Sequence, residues 1–183
     1  MRKLCLFLLK LFGWHYEISV EIPDKCVFCV APHTSNWDYV IGILFYQSVI
    51  GGNPHVLMKK ELFFFPVHWL FKSLGGIPVD RKNKTKTSIS DQMVELFRSN
   101  KRFHLAVSPE GTRKRNDRWK TGFYYIALNS GVPIVQASID YSKKEVGVKK
   151  IFYPTGDANS DIEEIKSYYQ NVGAKYPGKF AIK

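Results

Sequence analysis

Acidic residues and cysteines are both scarce in this sequence. Asp and Glu number 16 against 27 Lys and Arg, so the formal net charge is +11. An excess of this size indicates an anionic partner: a lipid surface, a phosphorylated small molecule, an acidic protein or a nucleic acid. Charge alone does not choose among these partners. The three cysteines, an odd number without the spacing of a disulfide scaffold, favour a reducing compartment.

Two of the cysteines form a C-x-x-C pair, a spacing that redox and zinc sites also use. Cys26 and Cys29 lie in the strand-like run Cys-Val-Phe-Cys-Val-Ala. They lack the helix N-terminus that activates a redox cysteine, and no second pair supplies further zinc ligands. The other His and Cys residues show no ligand pattern either. We therefore predict that both cysteines are small core residues, and that the protein requires no metal.

No apolar run reaches the roughly 20 residues that a membrane-spanning helix needs. The N-terminal run, residues 4–14, is shorter and contains Lys10. It begins like a signal peptide, but no small-residue cleavage site follows. At about 100° per residue, Lys3 and Lys10 fall on one side of a helix and the apolar residues spread over the other. This pattern predicts an amphipathic helix over residues 1–17 that lies in a membrane surface. The alternative is a helix packed on the domain's own core.

Strand-like and helix-like segments alternate along the rest of the chain. Predicted strands cover residues 26–31, 55–58, 76–79, 103–107, 132–139 and 148–153, and predicted helices cover 35–50, 86–98, 122–129 and 161–171. The alternation predicts one α/β domain over residues 18–183, with a central, mostly parallel sheet layered by helices. An aromatic-rich segment, residues 62–71, could line an acyl-chain pocket, face lipid or belong to the core.

One predicted strand end carries a histidine and a nearby carboxylate. His33 follows the strand at residues 26–31, and Asp38 lies five residues later, in the first turn of the next helix. From its loop, the His33 ring can fold back onto Asp38. A carboxylate on one imidazole nitrogen fixes the tautomer and leaves the other nitrogen free to accept a proton from an alcohol. Alternatively, Asp38 only completes a capping box with Ser35, and His33 is an ordinary loop histidine.

Three further strand ends differ in character. Residues 75–79 lead into Asp80 and Arg81, which a solvated turn would also explain. Residues 108–113, Ser-Pro-Glu-Gly-Thr-Arg, form a predicted tight turn that should bring Glu110 and Arg113 to one small volume. A planar guanidinium there suits a phosphate, which it can bind through two parallel hydrogen bonds. Residues 131–135 are apolar and indicate structure alone.

Together these segments resemble the four sequence blocks of the glycerolipid acyltransferase family, whose bacterial members include 1-acylglycerol-3-phosphate (lysophosphatidic acid) acyltransferases. Residues 33–38 look like its H-x4-D block, 76–81 like the second, 108–113 like the Phe-Pro-Glu-Gly-Thr-Arg block and 132–135 like Val-Pro-Ile-Val. Order and spacing agree, over roughly residues 26–140. Ser108 stands where the family usually has Phe, and Pro32 where many members have Asn. Neither departure touches a proposed catalytic atom.

The resemblance implies a role for each matching residue. His33 would be the general base and Asp38 its orienting partner. The acceptor's polar head would be bound by Arg81 and by the turn that carries Glu110, Gly111, Thr112 and Arg113. One lysine of the pair Lys59 and Lys60 would meet the acceptor phosphate, because residues 59–66 are similar to another family segment.

The resemblance also implies a reaction. A fatty acyl group would pass from a thioester of acyl carrier protein or coenzyme A to a hydroxyl of a lysophospholipid, without a further cofactor. The enzyme would be a peripheral protein on the cytoplasmic face of the cell membrane. The sequence contains no Gly-x-Ser-x-Gly elbow, which favours direct transfer over an acyl-enzyme.

Alternative functions stay open at this point. They are transfer to another lysolipid or an amino-lipid, thioester hydrolysis, and a non-catalytic basic protein that binds membranes or nucleic acid. The basic residues near position 113 surround the third block rather than form a groove-reading helix, so we expect no nucleic-acid partner.

Overall fold

The computed structural model describes residues 1–79 and 88–182. The helices are α1 (Arg2–Leu11), α2 (Asn36–Phe45), α3 (His68–Ser73), α4 (Ile89–Ser99), α5 (Gly122–Ser130) and α6 (Ala158–Ser167). The strands are β1 (His15–Ile18), β2 (Lys25–Ala31), β3 (His55–Lys59), β4 (Gly76–Val79), β5 (Phe103–Val107), β6 (Ile134–Asp140) and β7 (Glu145–Phe152). A π-helical turn (Tyr46–Ile50) continues α2, and short 3₁₀ turns cover Lys60–Leu62 and Pro177–Lys179.

The strands form one seven-stranded sheet in the order β1-β7-β6-β2-β5-β3-β4. Strands β2, β3, β4, β5 and β6 run parallel to their neighbours within this group, whereas β7 is antiparallel to β6 and β1 parallel to β7. The predicted α/β domain with a mostly parallel sheet is confirmed. One consequence matters for function: the carboxyl ends of β2 to β6 meet at a single edge of the sheet.

Helices cover both faces of the sheet, because successive side chains of its central strand point to opposite sides. Val27 and Cys29 of β2 pack into one core with α4, α5 and α6. Cys26 and Phe28 pack into the other core with α1 and α2. The two cysteines are therefore free, buried core residues, as predicted. Burial raises the pKa of the Cys26 thiol to about 12 and raises that of Cys29 further.

Helix α1 combines features of both interpretations of the N-terminal segment. Cys5 and Leu9 are buried in the core beside α2. Its opposite side leaves large apolar residues exposed, including Leu4, Phe7 and Leu11. The helix ends at Leu11, so the domain boundary predicted after residue 17 falls inside β1. Across residues 1–79 and 88–182, none of the helices has the length and apolarity to cross a membrane.

Candidate active site

Residues that follow four neighbouring strands meet at the carboxyl edge of the sheet. His33 comes two residues after β2, and Glu110 comes three residues after β5. On the far side of β5, Lys59 is the last residue of β3. On the opposite side of β2, Tyr141 directly follows β6. At this edge His33 therefore lies between two sets of residues: Glu110 and Lys59 on one side, and Tyr141 on the other.

The His33 ring faces the carboxylate of Asp38. Its Nδ1 lies 3.4 Å from Oδ2 of Asp38, and the side chains are 23% and 2% exposed respectively. The separation exceeds that of an ordinary N–H···O hydrogen bond, a looseness common in catalytic pairs before substrate binds. With Nδ1 turned toward Asp38, Nε2 is the nitrogen left to exchange a proton with a substrate.

Hydrogen bonds hold the Asp38 carboxylate in place from several directions. Its Oδ2 accepts from the amides of Thr34 at 2.6 Å and Ser35 at 2.7 Å. Its Oδ1 accepts from the Tyr141 hydroxyl at 2.8 Å. Burial alone would raise the pKa of Asp38, but the facing His33 ring and the hydrogen bonds from Ser35, Tyr141 and Thr34 outweigh burial and lower it. Asp38 is thus a carboxylate at neutral pH that both caps α2 and faces His33.

Glu110 contacts the backbone of the loop that carries His33. The residue is only 3% exposed, and its Oε1 accepts the backbone N–H of His33 at 2.8 Å. Its Oε2 is buried and has no hydrogen-bond partner among residues 1–79 and 88–182. Burial raises the pKa of Glu110, which its hydrogen bonds only partly oppose. In this arrangement the side chain fixes the backbone that carries the proposed base.

Arg113 and Glu110 differ in burial and in the residues that they contact. It is exposed, and its Nη1 donates to the side-chain carbonyl of Asn36, the first residue of α2. In the part of the chain that the structure describes, no ion pair joins Glu110 to Arg113. The expected common volume is therefore not what the geometry shows: one side chain turns inward and the other outward. Both still contact the loop and helix that carry His33 and Asp38.

A glycine and a buried tryptophan set the path of the loop between these two residues and α5. Gly111 has φ +65, in the left-handed region that favours glycine, and a Cβ there would lie 3.1 Å from Cγ of Lys120. Thr112 accepts a hydrogen bond from the Lys114 amide through its hydroxyl. The loop then returns to the body of the protein, because Trp119 is buried and the Lys120 amide donates to the Pro109 carbonyl at 2.6 Å.

The remaining predicted cations lie on the β5 side of His33 or outside the described residues. Lys59 is exposed at the end of β3, and Lys60 begins the adjoining 3₁₀ turn. Arg81 follows β4 by two residues in the sequence and lies outside the described residues. Within residues 1–79 and 88–182, no three His, Cys, Asp or Glu side chains are grouped closely enough to hold a metal ion.

Sequence reasoning missed a second group of residues at this site. Besides the Tyr141 hydroxyl on Asp38, the Tyr176 amide donates to the Thr34 hydroxyl at 3.3 Å. The Lys175 ammonium lies 5.2 Å from the ring centroid of Trp37 and 5.8 Å from that of Tyr141. Of these residues, only Tyr141 had a signal in the sequence, because it lies close to the end of the strand predicted over residues 132–139.

Comparison with known proteins gives this geometry a family context. The family model described as Acyltransferase matches residues 15–140. A 1-acyl-sn-glycerol-3-phosphate acyltransferase of Escherichia coli (strain K12) is 26% identical over 129 residues, which cover 67% of this chain and 50% of that protein. A probable enzyme of the same name from Mycoplasma pneumoniae is 34% identical over 138 residues, 71% of this chain and 50% of that protein.

A third relative comes from a eukaryote. The beta form of 1-acyl-sn-glycerol-3-phosphate acyltransferase from Homo sapiens is 26% identical over 163 residues, 84% of this chain and 58% of that protein. The chain thus spans about half the length of the curated relatives it matches.

Proposed function

This chain belongs to the acyltransferase family, and from that premise we propose that it transfers a fatty acyl group from a thioester to a lysophospholipid hydroxyl. The donor would be acyl carrier protein or coenzyme A in its acylated form. The acceptor we favour is 1-acylglycerol-3-phosphate, because the relatives from bacteria and from Homo sapiens carry that substrate in their names.

The observation that carries the proposal is the contact between His33 and Asp38, whose two carboxylate oxygens both accept hydrogen bonds from the surrounding structure. In the proposed reaction, the acceptor oxygen attacks the thioester carbonyl while Nε2 of His33 takes the hydroxyl proton. The carbon–sulfur bond then breaks, and the imidazolium returns that proton to the departing thiolate. Asp38 stays ionised throughout and stabilises the transient imidazolium. A positioned base of this kind typically contributes about 10²–10⁴-fold to the rate.

Two other functions make different demands on the same residues. A thioester hydrolase would use His33 to activate water, so thiol release would not require a lysolipid. A non-catalytic basic protein would need its surface charge but neither His33 nor Asp38. The hydrogen bonds that converge on Asp38 support a catalytic reading over the non-catalytic one, because a helix cap alone does not need a histidine facing it.

The test is a transfer assay with the purified full chain, acyl-coenzyme A or acyl-carrier protein, and a panel of lysolipids. Thiol release and the acylated product are both followed, the latter by mass spectrometry. His33→Ala should lose about 10²–10⁴-fold in kcat. His15→Ala is the matched control, because His15 also faces a carboxylate at 3.4 Å, that of Glu145, but on the exposed strand β1. A folded His33→Ala protein with normal turnover, or thiol release that ignores the lysolipid, would refute the proposal.

We place the acceptor phosphate on the β5 side of His33, near Arg113 and the lysine pair at residues 59–60, and we expect Arg81, which lies outside the described residues, to contribute as the family resemblance implies. The phosphate is unchanged by the reaction, so a residue that binds it should act on KM rather than on kcat. A hydrogen bond to a charged group contributes about 1.5–3 kcal/mol, so Arg113→Ala should raise the acceptor KM roughly 10–100-fold. Arg113→Lys should restore only part of this, since lysine lacks the two-pronged guanidinium.

The control for this experiment is Arg118→Ala, because Arg118 is an exposed arginine of the same loop whose backbone N–H donates to the side-chain carbonyl of Asn116. It should leave the acceptor KM within about twofold of the wild-type value, as surface charges far from a ligand contribute little. A defect of Arg113→Ala confined to the donor would mean that this loop binds the donor, and the phosphorylated acceptor would lose its physical support.

Association with a membrane surface completes the proposal. The exposed apolar side of α1 is adjacent to basic residues, including Arg2, Lys3 and Lys10. Exposed aromatic residues of the segment 62–71, such as Phe65 and Trp69, offer a second apolar surface. Amphipathic helices and aromatic side chains of this kind favour the boundary between lipid headgroups and acyl chains. We propose peripheral attachment to the cytoplasmic face of the cell membrane.

A further inference from the structure

Lys175 has an unusual environment for a surface lysine. Its ammonium lies over three aromatic rings, at 5.2 Å from the centroid of Trp37, 5.8 Å from Tyr141 and 6.0 Å from Tyr176. Among residues 1–79 and 88–182, no carboxylate lies within ion-pair distance of it. Aromatic faces attract a cation without neutralising it, so the charge stays available to an anionic ligand.

The three residues whose rings surround Lys175 either belong to the segment of His33 and Asp38 or form hydrogen bonds with it. Trp37 immediately precedes Asp38, and the Tyr141 hydroxyl donates to the Asp38 carboxylate at 2.8 Å. The Tyr176 amide donates to the hydroxyl of Thr34, the residue after His33. The segment before Lys175 is also hydrogen-bonded to the end of β6, because the Tyr141 amide donates to the Gly173 carbonyl at 2.7 Å. The ammonium is therefore held beside the proposed catalytic pair.

The strand beside this lysine lies on the opposite side of β2 from the strands that precede the other described cations of the site. Arg113 follows β5 and Lys59 ends β3, and both of these strands lie on one side of β2. Tyr141 follows β6, which lies on the other side of β2, and the Lys175 ammonium lies over the Tyr141 ring. A transfer reaction has to bring two substrates to one histidine from different directions. If the acceptor phosphate occupies the β5 side, the β6 side is left for the donor.

Both possible donors share one anionic group at a fixed position. Acyl carrier protein and coenzyme A each hold the acyl group on a phosphopantetheine arm, which carries a phosphate at the end far from the thiol; in coenzyme A this phosphate is one half of a diphosphate. We infer that Lys175 binds this phosphate while the arm lies along the exposed ring of Trp37. The inference rests on the proposed function and adds the donor's binding site to it. Lys175 lies beyond residues 15–140, the range that the family model matches.

The experiment compares two small donors that differ only in this phosphate: acyl-4′-phosphopantetheine and acyl-pantetheine of equal chain length. Each is assayed at saturating acceptor with the full-length wild-type protein and with Lys175→Met, which keeps an unbranched apolar stem against the rings. Lys175→Met should lower kcat/KM for the phosphorylated donor roughly 10-fold or more, the scale of one charge-assisted hydrogen bond. It should leave kcat/KM for acyl-pantetheine unchanged. Lys175→Arg should retain most of the preference for the phosphate.

Lys179→Met is the matched control, because the Lys179 ammonium lies over the Tyr176 ring alone, at 4.5 Å. It should behave as the wild type with both donors. Equal losses of Lys175→Met with both donors would show that the lysine only supports packing, and a raised acceptor KM alone would assign it to the acceptor; either result overturns the inference. So would a wild-type protein that uses the two donors equally well. Failure of the proposed function looks different: the wild type would then acylate no lysolipid from any donor.

Discussion

Two buried carboxyl groups support the loop that carries His33, and their surroundings shift their pKa values in opposite directions. Asp38 is buried, but the facing His33 ring and three hydrogen bonds lower its pKa. Glu110 is also buried and accepts from the His33 amide, yet burial prevails and its pKa is raised. Two carboxyl groups whose pKa values are shifted in opposite directions are suited to different roles. Asp38 is suited to hold a charge beside the base, and Glu110 to supply an acceptor to the backbone.

Glu110→Gln separates the acceptor role of this side chain from its charge. The glutamine carbonyl can still accept the His33 amide, so we expect kcat to stay within roughly one order of magnitude of wild type, as for a retained neutral hydrogen bond. Glu110→Ala removes the acceptor and leaves a buried amide unsatisfied, which costs about 1–3 kcal/mol. It should therefore unfold at a lower temperature and lose more activity than Glu110→Gln.

The same pair of proteins gives a pH dependence with a definite sign. Because the pKa of Glu110 is raised on folding, the folded protein binds more protons than the unfolded chain above the ordinary value of 4.5. Wild type should lose stability relative to Glu110→Gln as pH rises from that value through the raised pKa. Denaturant unfolding at several pH values measures the difference. A difference that grew in favour of wild type would contradict this assignment of Glu110.

At the scale of elements, the end of β6 and the C-terminal segment form a junction that positions Tyr141 and Lys175. Oδ1 of Asp140 accepts from the Ser142 amide and hydroxyl and from the Gly173 amide, the last at 3.2 Å. Gly173 lies so close that a Cβ there would be 2.7 Å from Cβ of Ser142. This close approach, rather than a special backbone conformation, requires glycine at the position.

Gly173→Ala should force the two segments apart. Overpacking typically costs about 1–3 kcal/mol, so we expect a lower unfolding temperature together with a loss of kcat. Ser142→Gly removes the side chain that the new Cβ would meet, although Asp140 stays 3.0 Å from it. The double variant Gly173→Ala, Ser142→Gly should recover much of the lost stability, measured against Ser142→Gly alone. If Ser142→Gly brought no recovery, the close contact would not be the cause.

Local patterns in the sequence predict most of the elements but not the junction between them. The strands β4 and β5 and the helix α5 were predicted nearly to the residue, since each is a mostly apolar run bounded by glycine or polar residues. Strand β1 was missed because its four residues are mostly exposed and are held by pairing with β7. Helix α3 was not predicted either, and the helix predicted over residues 35–50 was confirmed except that its last five residues form a π-helical turn.

The contacts of the candidate site are also of two kinds: local ones, which the sequence indicates, and long-range ones, which it does not. The spacing of His33 and Asp38 is local, so the sequence could indicate their contact, and resemblance to a family suggested roles for residues 108–113. The Tyr141 contact with Asp38 spans 103 residues, and the Tyr176 contact with Thr34 spans 142. No periodicity encodes contacts of that range. The directions of Glu110 and Arg113 were equally inaccessible, because they depend on how the Gly111 turn meets Lys120.

At the scale of the whole molecule, excess positive charge and exposed apolar side chains favour the same kind of partner. The net charge of +11 attracts an anionic surface, with each near-surface cation contributing on the order of 1 kcal/mol. The apolar side of α1, defined by Leu4, Phe7 and Leu11, supplies side chains that can enter the lipid. Deleting the helix is not an informative test, because Cys5 and Leu9 belong to the core.

A triple variant, Leu4→Gln, Phe7→Gln and Leu11→Gln, removes the apolar side and keeps the core contacts. Apolar burial is worth about 25 cal/mol per Å², so binding to vesicles that contain anionic lipid should weaken by at least roughly 30-fold. Wild-type binding should also fall as salt concentration rises. Tyr153→Gln is the control, since Tyr153 is 68% exposed but lies after β7. Unchanged sedimentation of the triple variant with vesicles would exclude α1 as the anchor.

The buried cysteines have a practical consequence for chemical labelling. Maleimide reagents attack exposed thiolates, whereas all three native thiols are buried, and burial raises the pKa of Cys26 and Cys29. A single thiol introduced by Phe7→Cys or Phe65→Cys, at positions 60% and 75% exposed, should therefore be the only rapidly modified site. Fluorophores attached there would report how deeply each apolar surface enters a bilayer, in a protein that keeps its native cysteines.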